Sequence, residues 1–585
     1  MSFIRKHRIA LAMMTVLFAA ATAPYLIPEN PDFAVFRSGT LGALLLFGCF
    51  FPVRDALARC SRRELSCGLV WGFLFACALS LGSELFVYEG LLPGLHSTIR
   101  RIAVPVMAAP LFGALCAQAL RFHPARAAKV RRIPAAAFAV VILLCWLPVL
   151  LAYFPAAINY DFPNQIEQFS TGSWSNYQPM LHTLLISALL SVGDLLGNRT
   201  FGLLLYSLVQ MTLFASSLAY ACSFAQKRGV PTLGVLLLTA LFALHPVFSV
   251  MSIATTKDTL FAAAVLTLTL LTVELIEDCE AFFQRKVRCS LYVVTAACLV
   301  LLRSNGIASL LLMLPGLLIV CRNHRKSIAM LCAGCFAAIA FAALAINLAF
   351  APEDIPAFQS LSVPAQQLVR AYNLGEMSEA DRKELESWVL TDTGLLLHPH
   401  LADAAKNDLD ALRLQEDRRA YLALWARNGV KNARVYAEAF LILNIGSWYP
   451  DDLSHSTVYP DSYYSDKGYL QTQEYDMQAY GLYTTCLLPD VQAFYEQVCR
   501  YNAHQKYPVV SLLFGTATPF WVLMLACAML IAQRHLHLLT AAICPLSLWA
   551  SYLFFGPCTL PRYVLPLFCC APVLLALALF TPTRE

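Results

Sequence analysis

Apolar residues run along this chain in long blocks, separated by shorter polar stretches that hold most of the charge. A helix needs about 20 apolar residues to cross the hydrocarbon core of a bilayer. Blocks approaching that length fall at 9–27, 39–53, 66–88, 102–121, 133–154, 200–224, 231–250, 258–276, 290–302, 306–321, 327–350, 510–533, 536–555 and 562–581. Each predicts a membrane-crossing helix, although 290–302 and 306–321 are short. A further block at 179–197 fits either a span or a helix lying along the interface. The alternating pattern of a transmembrane barrel is absent, so helices are the only spanning element expected.

Lys and Arg favour the cytoplasmic ends of spans. Six basic clusters mark such ends: Arg5-Lys6-His7-Arg8; Arg54, Arg59, Arg62 and Arg63; Arg121, Arg126, Lys129, Arg131 and Arg132; Lys227-Arg228; Arg285, Lys286 and Arg288; and Arg322, Arg325 and Lys326. If 179–197 crossed the bilayer, the later clusters would fall opposite the earlier ones. Laid along the outer interface, it leaves all six on one side. The expectation is fourteen spans, both chain ends cytoplasmic, and a juxtamembrane helix at 179–197. Ala20-Ala-Thr-Ala-Pro24 resembles a signal-peptide cleavage site, but the length of the first block favours an uncleaved anchor.

Composition narrows the class. The 585 residues are 58% hydrophobic and 14% charged, whereas a soluble domain carries about 25% charged residues. That excludes a soluble enzyme and a disordered chain. A net charge of +5 over this length makes no nucleic-acid-binding patch. The remaining charge is unevenly placed. Residues 351–509 hold no block long enough to span and carry 22 Asp and Glu against 13 Lys and Arg, a net of −9. Topology puts this segment outside. Its stretch 376–440 has helix-forming composition. The stretch 446–483, opening Gly446-Ser-Trp-Tyr-Pro450, is rich in Tyr, Asp and Ser, which suits either sugar stacking or a solvated cap. Cys486 and Cys499 are its only cysteines, which allows a disulfide in an oxidising compartment. The other eighteen cysteines lie in or near spans and read as small hydrophobes, Cys332-Ala-Gly-Cys335 included. The fold class expected is an all-α polytopic membrane protein in four parts. These are N-terminal helices 1–132, a core 133–350 with an outer loop 155–199, a mostly helical extracytoplasmic domain 351–509 and C-terminal helices 510–585.

Candidate chemistry gathers on the expected outer face. Phe154-Pro-Ala-Ala-Ile-Asn159-Tyr-Asp161-Phe-Pro-Asn-Gln165 follows the fifth span. Among such apolar and aromatic neighbours a carboxylate is partly desolvated, so Asp161 suits a general base or a divalent-cation ligand; a plain helix cap is the structural alternative. Trp174-Ser-Asn-Tyr-Gln178-Pro-Met-Leu-His182 adds amides and an imidazole, although a His on an apolar face is more often a packed residue. Lys257-Asp258 open the eighth span, where a helix N-terminus favours the Asp258 carboxylate and Lys257 can meet a phosphate. Arg303-Ser-Asn305-Gly306 forms an outer tip, and Arg562-Tyr563 begins the last span after Gly556-Pro-Cys-Thr-Leu-Pro561. Arginine at an outer lipid boundary suits the bidentate contacts of a lipid phosphate, or simply snorkels.

Taken in order, Asp161, the segment 163–197 and Lys227-Arg228 resemble the layout of the GT-C superfamily of membrane glycosyltransferases, which includes protein O-mannosyltransferases and lipid A aminoarabinose transferases. There an Asp after an early span precedes two juxtamembrane helices and a span ending in basic residues. Arg562-Tyr563-Val-Leu-Pro566 looks like the Arg-Tyr…Pro pattern that opens a late span in those enzymes. Asn176-Tyr-Gln-Pro179-Met-Leu-His182 departs from the His-Pro-Pro often found before their juxtamembrane helix. Thr256-Lys257-Asp258, Arg303-Ser-Asn-Gly306 and Ser362-Val-Pro-Ala-Gln-Gln367 look like motifs of an uncharacterised bacterial branch with no assigned substrate. The resemblance covers 133–367 and 556–566; the first four spans lie outside it.

The resemblance implies a GT-C-like bundle and a multi-pass glycosyltransferase of the plasma membrane with an extracytoplasmic active site. It would move a sugar from a polyprenyl-phosphate donor to a glycan, lipid or protein acceptor in cell-envelope modification. Asp161 would be catalytic, with or without a divalent cation (Mg or Mn) held at it. Lys257, Arg303, Arg562 and Tyr563 would bind the donor phosphate and stabilise its developing charge. Asn159, Gln165, Gln178, His182, Asp258 and Asn305 would contact substrate. No Gly-x-x-x-x-Gly-Lys-Ser/Thr loop occurs, in keeping with a lipid-borne donor. The alternatives are a transporter or lipid flippase, which places charges mid-membrane and often shows inverted repeats, and a scaffold whose outer domain binds a partner. Charges inside the spans are scarce here, and the span pattern does not repeat.

Overall fold

The computed structural model describes residues 1–26, 40–122, 132–159, 161–354, 357–450, 477–500 and 512–581. Among them, regular structure is helical, and β pairing is confined to isolated bridges between loops. The elements used below are α1 Arg8–Leu26, α2 Arg62–Tyr88, α3 Leu95–Arg121, α4 Ala135–Ala152, α5 Phe162–Thr171, α6 Met180–Leu195 and α7 Arg199–Lys227. They continue with α8 Thr232–Leu244, α9 Pro246–Ile253, α10 Lys257–Glu277, α11 Lys286–Leu302, α12 Gly306–Val320 and α13 Arg325–Phe350. The polar segment adds α14 Ser362–Leu374, α15 Ala411–Lys431 and α16 Ala433–Leu443, and the last described helices are α17 Thr518–Ala532, α18 Leu539–Phe555 and α19 Pro561–Phe580. Among the described residues nine helices are long and apolar enough to cross a membrane, and the bent pair α8–α9, with 49° between its halves, makes a tenth. The protein is an all-α polytopic membrane protein.

Over the expected span 39–53 the described residues form no single helix long enough to cross. The run breaks at Cys49 into Thr40–Gly48 and Phe50–Arg59, and the second piece buries only Val53 and Ala56. Its Asp55 and Arg59 pair at 2.7 Å. Neither piece, of nine and ten residues, is long enough to cross about 30 Å of hydrocarbon alone. The expected spans at 290–302, 306–321 and 510–533 appear as the short helices α11, α12 and α17, of 17, 15 and 15 residues.

Side-chain contacts sort the helix termini into two ends. At one end Gln226 of α7 bonds both backbone groups of Ile133, just before α4. There too Arg228 pairs with Glu277 of α10, and Arg288 of α11 bonds Tyr220 and pairs with Glu274. This is the basic end. At the other, Ser207 of α7 donates to the Pro155 carbonyl just past α4, and Lys257 at the head of α10 meets Asp161. The 21 residues of α10 separate the two ends by about 30 Å, a hydrocarbon thickness. Since α4 arrives at the second end and α7 departs from it, the intervening α5 and α6 stay there. The apolar α6 therefore lies along that end and does not cross. Through the middle run α10 and α19, buried over most of their lengths, and both begin at the second end.

The N-terminal helices α2 and α3 meet backbone to backbone. A Cβ on Gly72 would lie 2.3 Å from the Gly113 nitrogen, and one on Gly68 2.4 Å from its oxygen. Small residues four apart, Gly68 and Gly72 facing Ala109, Gly113 and Ala117, are a packing seam of membrane helices. The polar segment divides in two. Residues 357–450 build a helical domain around Leu368, Trp388, Leu409, Tyr421 and Leu424. Residues 485–500 return along the bundle: Thr485 N–H donates to the Phe154 carbonyl, Leu487 N–H to that of Leu151, and the Tyr495 hydroxyl meets that of Ser249 at 3.0 Å. Cys499 is buried in the bundle core, and both it and Cys486 are free thiols, so the disulfide the sequence allows is not formed. Of the aromatic stretch 446–483, residues 451–476 lie outside the described residues.

Candidate functional site

Two loops at the end opposite the basic one pair edge to edge. Ala157 N–H donates to the Ile253 carbonyl and Thr255 N–H to that of Ala157, both at 3.0 Å. The Thr255 hydroxyl takes Asn159 N–H at 2.8 Å. This pairing sets Asp161, just past the first loop, against Lys257, just past the second. Lys257 Nζ lies 2.8 Å from Asp161 Oδ2 and also donates to Gln178 Oε1. From the first turn of α19, Arg562 Nη1 reaches the same Asp161 oxygen at 2.9 Å. Asp258, with only 1% of its side chain exposed, receives Arg303 Nη2 at 2.5 Å and Arg562 Nε at 3.7 Å. Three cations thus share two carboxylates, and the cluster is net positive. Asp161 precedes α5, yet its side chain makes no capping hydrogen bond; it is spent on ion pairs instead.

Aromatic rings hold the arginines in place. Tyr552 of α18 and Tyr563 stack at 5.4 Å with 17° between planes. The Arg303 guanidinium carbon stands 4.8 Å from the Tyr563 ring and 5.4 Å from Tyr552. Arg562 lies 4.8 Å from Tyr563 and donates to its hydroxyl at 3.1 Å. Each distance is within the reach of a cation–π contact, so both planar cations are fixed before any ligand arrives.

Gln165 and His182 lie behind this cluster rather than in its open space. Gln210 Nε2 donates to the carbonyls of Ser252 and Ala254 at 3.0 and 2.7 Å, which leaves its oxygen to accept from the Tyr206 hydroxyl at 2.6 Å. The Tyr206 oxygen must then accept from His182 Nε2–H at 2.8 Å, and His182 Nδ1 accepts from Gln165 Nε2 at 2.9 Å. Backbone carbonyls thereby set the imidazole as the neutral Nε2–H form. Burial pushes its pKa down to about 3, with Lys257 adding to the effect. The chain ties α5, α6 and α7 to the loop before Lys257. Gln165 and His182 therefore position the site and do not contact its space.

A cavity of about 810 Å³ opens beside the cluster. Lys257, Arg303, Asn305 and Tyr563 line it, with Asn176, Tyr177, Gln359, Ser551, Tyr552 and Asp354 adding polar groups. Apolar wall comes from Val300 and Leu301 of α11, Ala343 and Ile346 of α13, and Phe555 of α18. Asn305 Nδ2 donates to the Ser551 hydroxyl at 2.8 Å, and its buried Oδ1 has no hydrogen-bond partner among the described residues. Asp161, Asp258, Arg562, Gln178 and Asn159 stand behind Lys257 and Arg303 and do not line the cavity. Asn159 accepts Asp161 N–H through its side-chain oxygen at 3.2 Å, a loop-fixing contact. The sequence reading missed Tyr552 and Tyr177; a Ser-Tyr pair closing an apolar block was the only signal for the first.

Among the described residues no three His, Cys, Asp or Glu side chains come together to hold a metal ion. Asp161 is neutralised by Lys257 and Arg562 in the place a divalent cation would take.

Fold and site together define a polytopic helical membrane protein with a cation-lined, half-apolar cavity at one end of its bundle. The chain belongs to a family of unknown function (DUF6020), whose sequence pattern matches residues 170–585. The match takes in Gln178, His182, Lys257, Asp258, Arg303, Asn305, Arg562 and Tyr563; Asn159, Asp161, Gln165 and the N-terminal helices precede it. No curated protein and no solved structure matches the chain.

Proposed function

We propose that this protein is a membrane glycosyltransferase of the extracytoplasmic face, taking a sugar from a polyprenyl-phosphate donor and modifying a cell-envelope glycan or glycolipid. The observation that carries the reading is a single cavity with two characters. Its polar side holds the fixed cations Lys257 and Arg303, and its other walls are apolar span residues. A lipid phosphate has that same division. In the reaction the acceptor hydroxyl oxygen bonds to the anomeric carbon. The bond from that carbon to the phosphate oxygen breaks, and its electron pair leaves with the lipid phosphate. Arg303 and Lys257 stabilise the charge left there. The hydroxyl proton passes to Asp161, which stands directly behind Lys257 with its Oδ2 held by Lys257 and Arg562.

A flippase would need charge along the membrane-crossing path. On the central helix α10 the charged residues are Lys257 and Asp258 at one end and Glu274 and Glu277 at the other. The reading is tested by comparing envelope glycans and glycolipids of strains carrying wild-type protein and Asp161→Asn at equal membrane abundance. Loss of one sugar modification, corresponding to a rate lower by about 10²–10⁴-fold, is expected of a lost general base. An unchanged glycan profile sinks the catalytic assignment and returns the transporter reading.

A further inference from the structure

A second groove lies at the basic end, between α11 and α13. It encloses about 640 Å³ and is lined by Phe283, Cys289, Ser290, Val293, Val294, Ser327, Met330, Leu331 and Gly334. Its walls are apolar and face outward: Val294 is 57% and Met330 68% exposed. At Gly334 a Cβ would find only Val293 Cγ2, at 3.8 Å, so the floor has room to spare. On a helix, residues four apart share a face. Lys286 therefore stands one turn below Ser290, and Lys326 one turn below Met330, on the two sides of the groove mouth.

The charges at this mouth differ from their neighbours. Arg228 and Arg288, at the same end, are paired with Glu277 and Glu274. Arg285, Lys286, Arg322 and Lys326 are exposed and, among the described residues, make no ion pair. Topology alone asks for positive charge here, not for an open apolar groove running up from it. Basic residues beside an interhelical groove on the cytoplasmic side are a recognition site for acidic lipid headgroups.

We infer that this groove seats an acidic glycerophospholipid, an acyl chain lying between Val293, Val294, Met330 and Leu331 and the phosphate held by Lys286 and Lys326. The Ser290 and Ser327 hydroxyls at the mouth supply donors for the headgroup. The inference does not depend on the proposed transferase activity, since the groove lies at the opposite end of the bundle.

The full-length protein in nanodiscs of phosphatidylglycerol and phosphatidylcholine tests this by native mass spectrometry of retained lipid. Wild type is expected to retain phosphatidylglycerol selectively. The double variant Lys286→Gln/Lys326→Gln should lose that retention by about 30-fold, roughly 5-fold for each lysine, while the neighbouring arginines preserve the topology signal. Gly334→Leu, which fills the groove and leaves the charges, should lose it as well; Ser290→Leu does the same from the other helix if that variant fails to fold. Equal retention of the two lipids by wild type, or retention unchanged in both the charge and the filling variants, overturns the inference.

Discussion

His182 illustrates how a residue picked out for chemistry turns out to serve geometry. Its imidazole is fully buried and locked neutral by a hydrogen-bond chain that ends on backbone carbonyls. Because its folded pKa lies well below the ordinary value, the unfolded chain binds the extra proton first. Stability is then lost as pH falls below the unfolded value near 6.5, and continues to fall toward the folded value of about 3. Between pH 6.5 and pH 5 the wild type should lose about 2 kcal/mol from this group. Melting temperatures of wild type and His182→Gln at pH 7 and pH 5 check this: the variant should be less stable at pH 7 but lose less on acidification. Parallel losses would mean that His182 is not held neutral. The residues legible in the sequence were the charged ones on the expected outer face, Asp161, Lys257, Asp258, Arg303 and Arg562, because a charge at a span end has few reasons to be there. Their pairing was not legible: it arises from the edge-to-edge contact of two loops about a hundred positions apart, which leaves no local pattern.

Elements were readable where length and apolarity agreed, and misread where only composition did. The block at 39–53 is as apolar as a span but holds Pro52, which has no N–H for the Gly48 carbonyl, and it splits at Cys49 into two short helices. The seam between α2 and α3 was overlooked, because Gly-x-x-x-Gly at 68–72 is inconspicuous inside an apolar run. Its tightness makes a sharp prediction. Gly72→Leu would drive a side chain into the Gly113 backbone and should cost at least the 1–3 kcal/mol typical of overpacking. Its membrane abundance and melting temperature should drop, whereas Gly48→Leu, where a Cβ meets nothing within 4 Å, should be neutral. The lie of α6 is tested by cysteine accessibility. Ser173→Cys and Leu196→Cys flank it at exposed positions; both should label from one face of the membrane, and Lys286→Cys from the other. Labelling of the first two from opposite faces would mean that α6 crosses.

At the scale of the whole molecule, the N-terminal helices precede the family match but are joined to the helical domain 357–450. Leu91 N–H donates to Glu438 Oε1 at 3.1 Å, and Arg370 of α14, 2% exposed, pairs with Glu438 Oε2 at 3.1 Å and donates to the Glu89 carbonyl. Leu92 N–H is taken by Glu84, itself paired with Arg100 and Arg101. A polar clasp therefore locks the α2–α3 turn onto α14 and α16, the domain that stands over the cavity through the Ala402 N–H bond to the Pro557 carbonyl. Arg370→Met leaves Glu438 with Arg434, at 2.9 Å, as its remaining cation and should cost about 1–3 kcal/mol. Faster proteolysis of the helical domain 357–450 reports the loss; wild-type resistance would show the clasp to be dispensable. Its charge marks this segment in the sequence, but nothing there foretells that residues 485–500 pack back along the bundle.

In the proposed reaction the cavity consumes a sugar carried on a lipid phosphate. The most direct measurement is the pool of sugar-linked polyprenyl phosphate in membranes, quantified by mass spectrometry in strains carrying wild-type protein or Arg303→Gln at matched abundance. Arg303 reaches the cavity and holds no bond to Asp161, so its loss should slow departure of the phosphate while the base remains. One sugar-linked species is expected to accumulate in the variant as the matching envelope sugar declines. Pools that stay identical while the variant remains folded would contradict it.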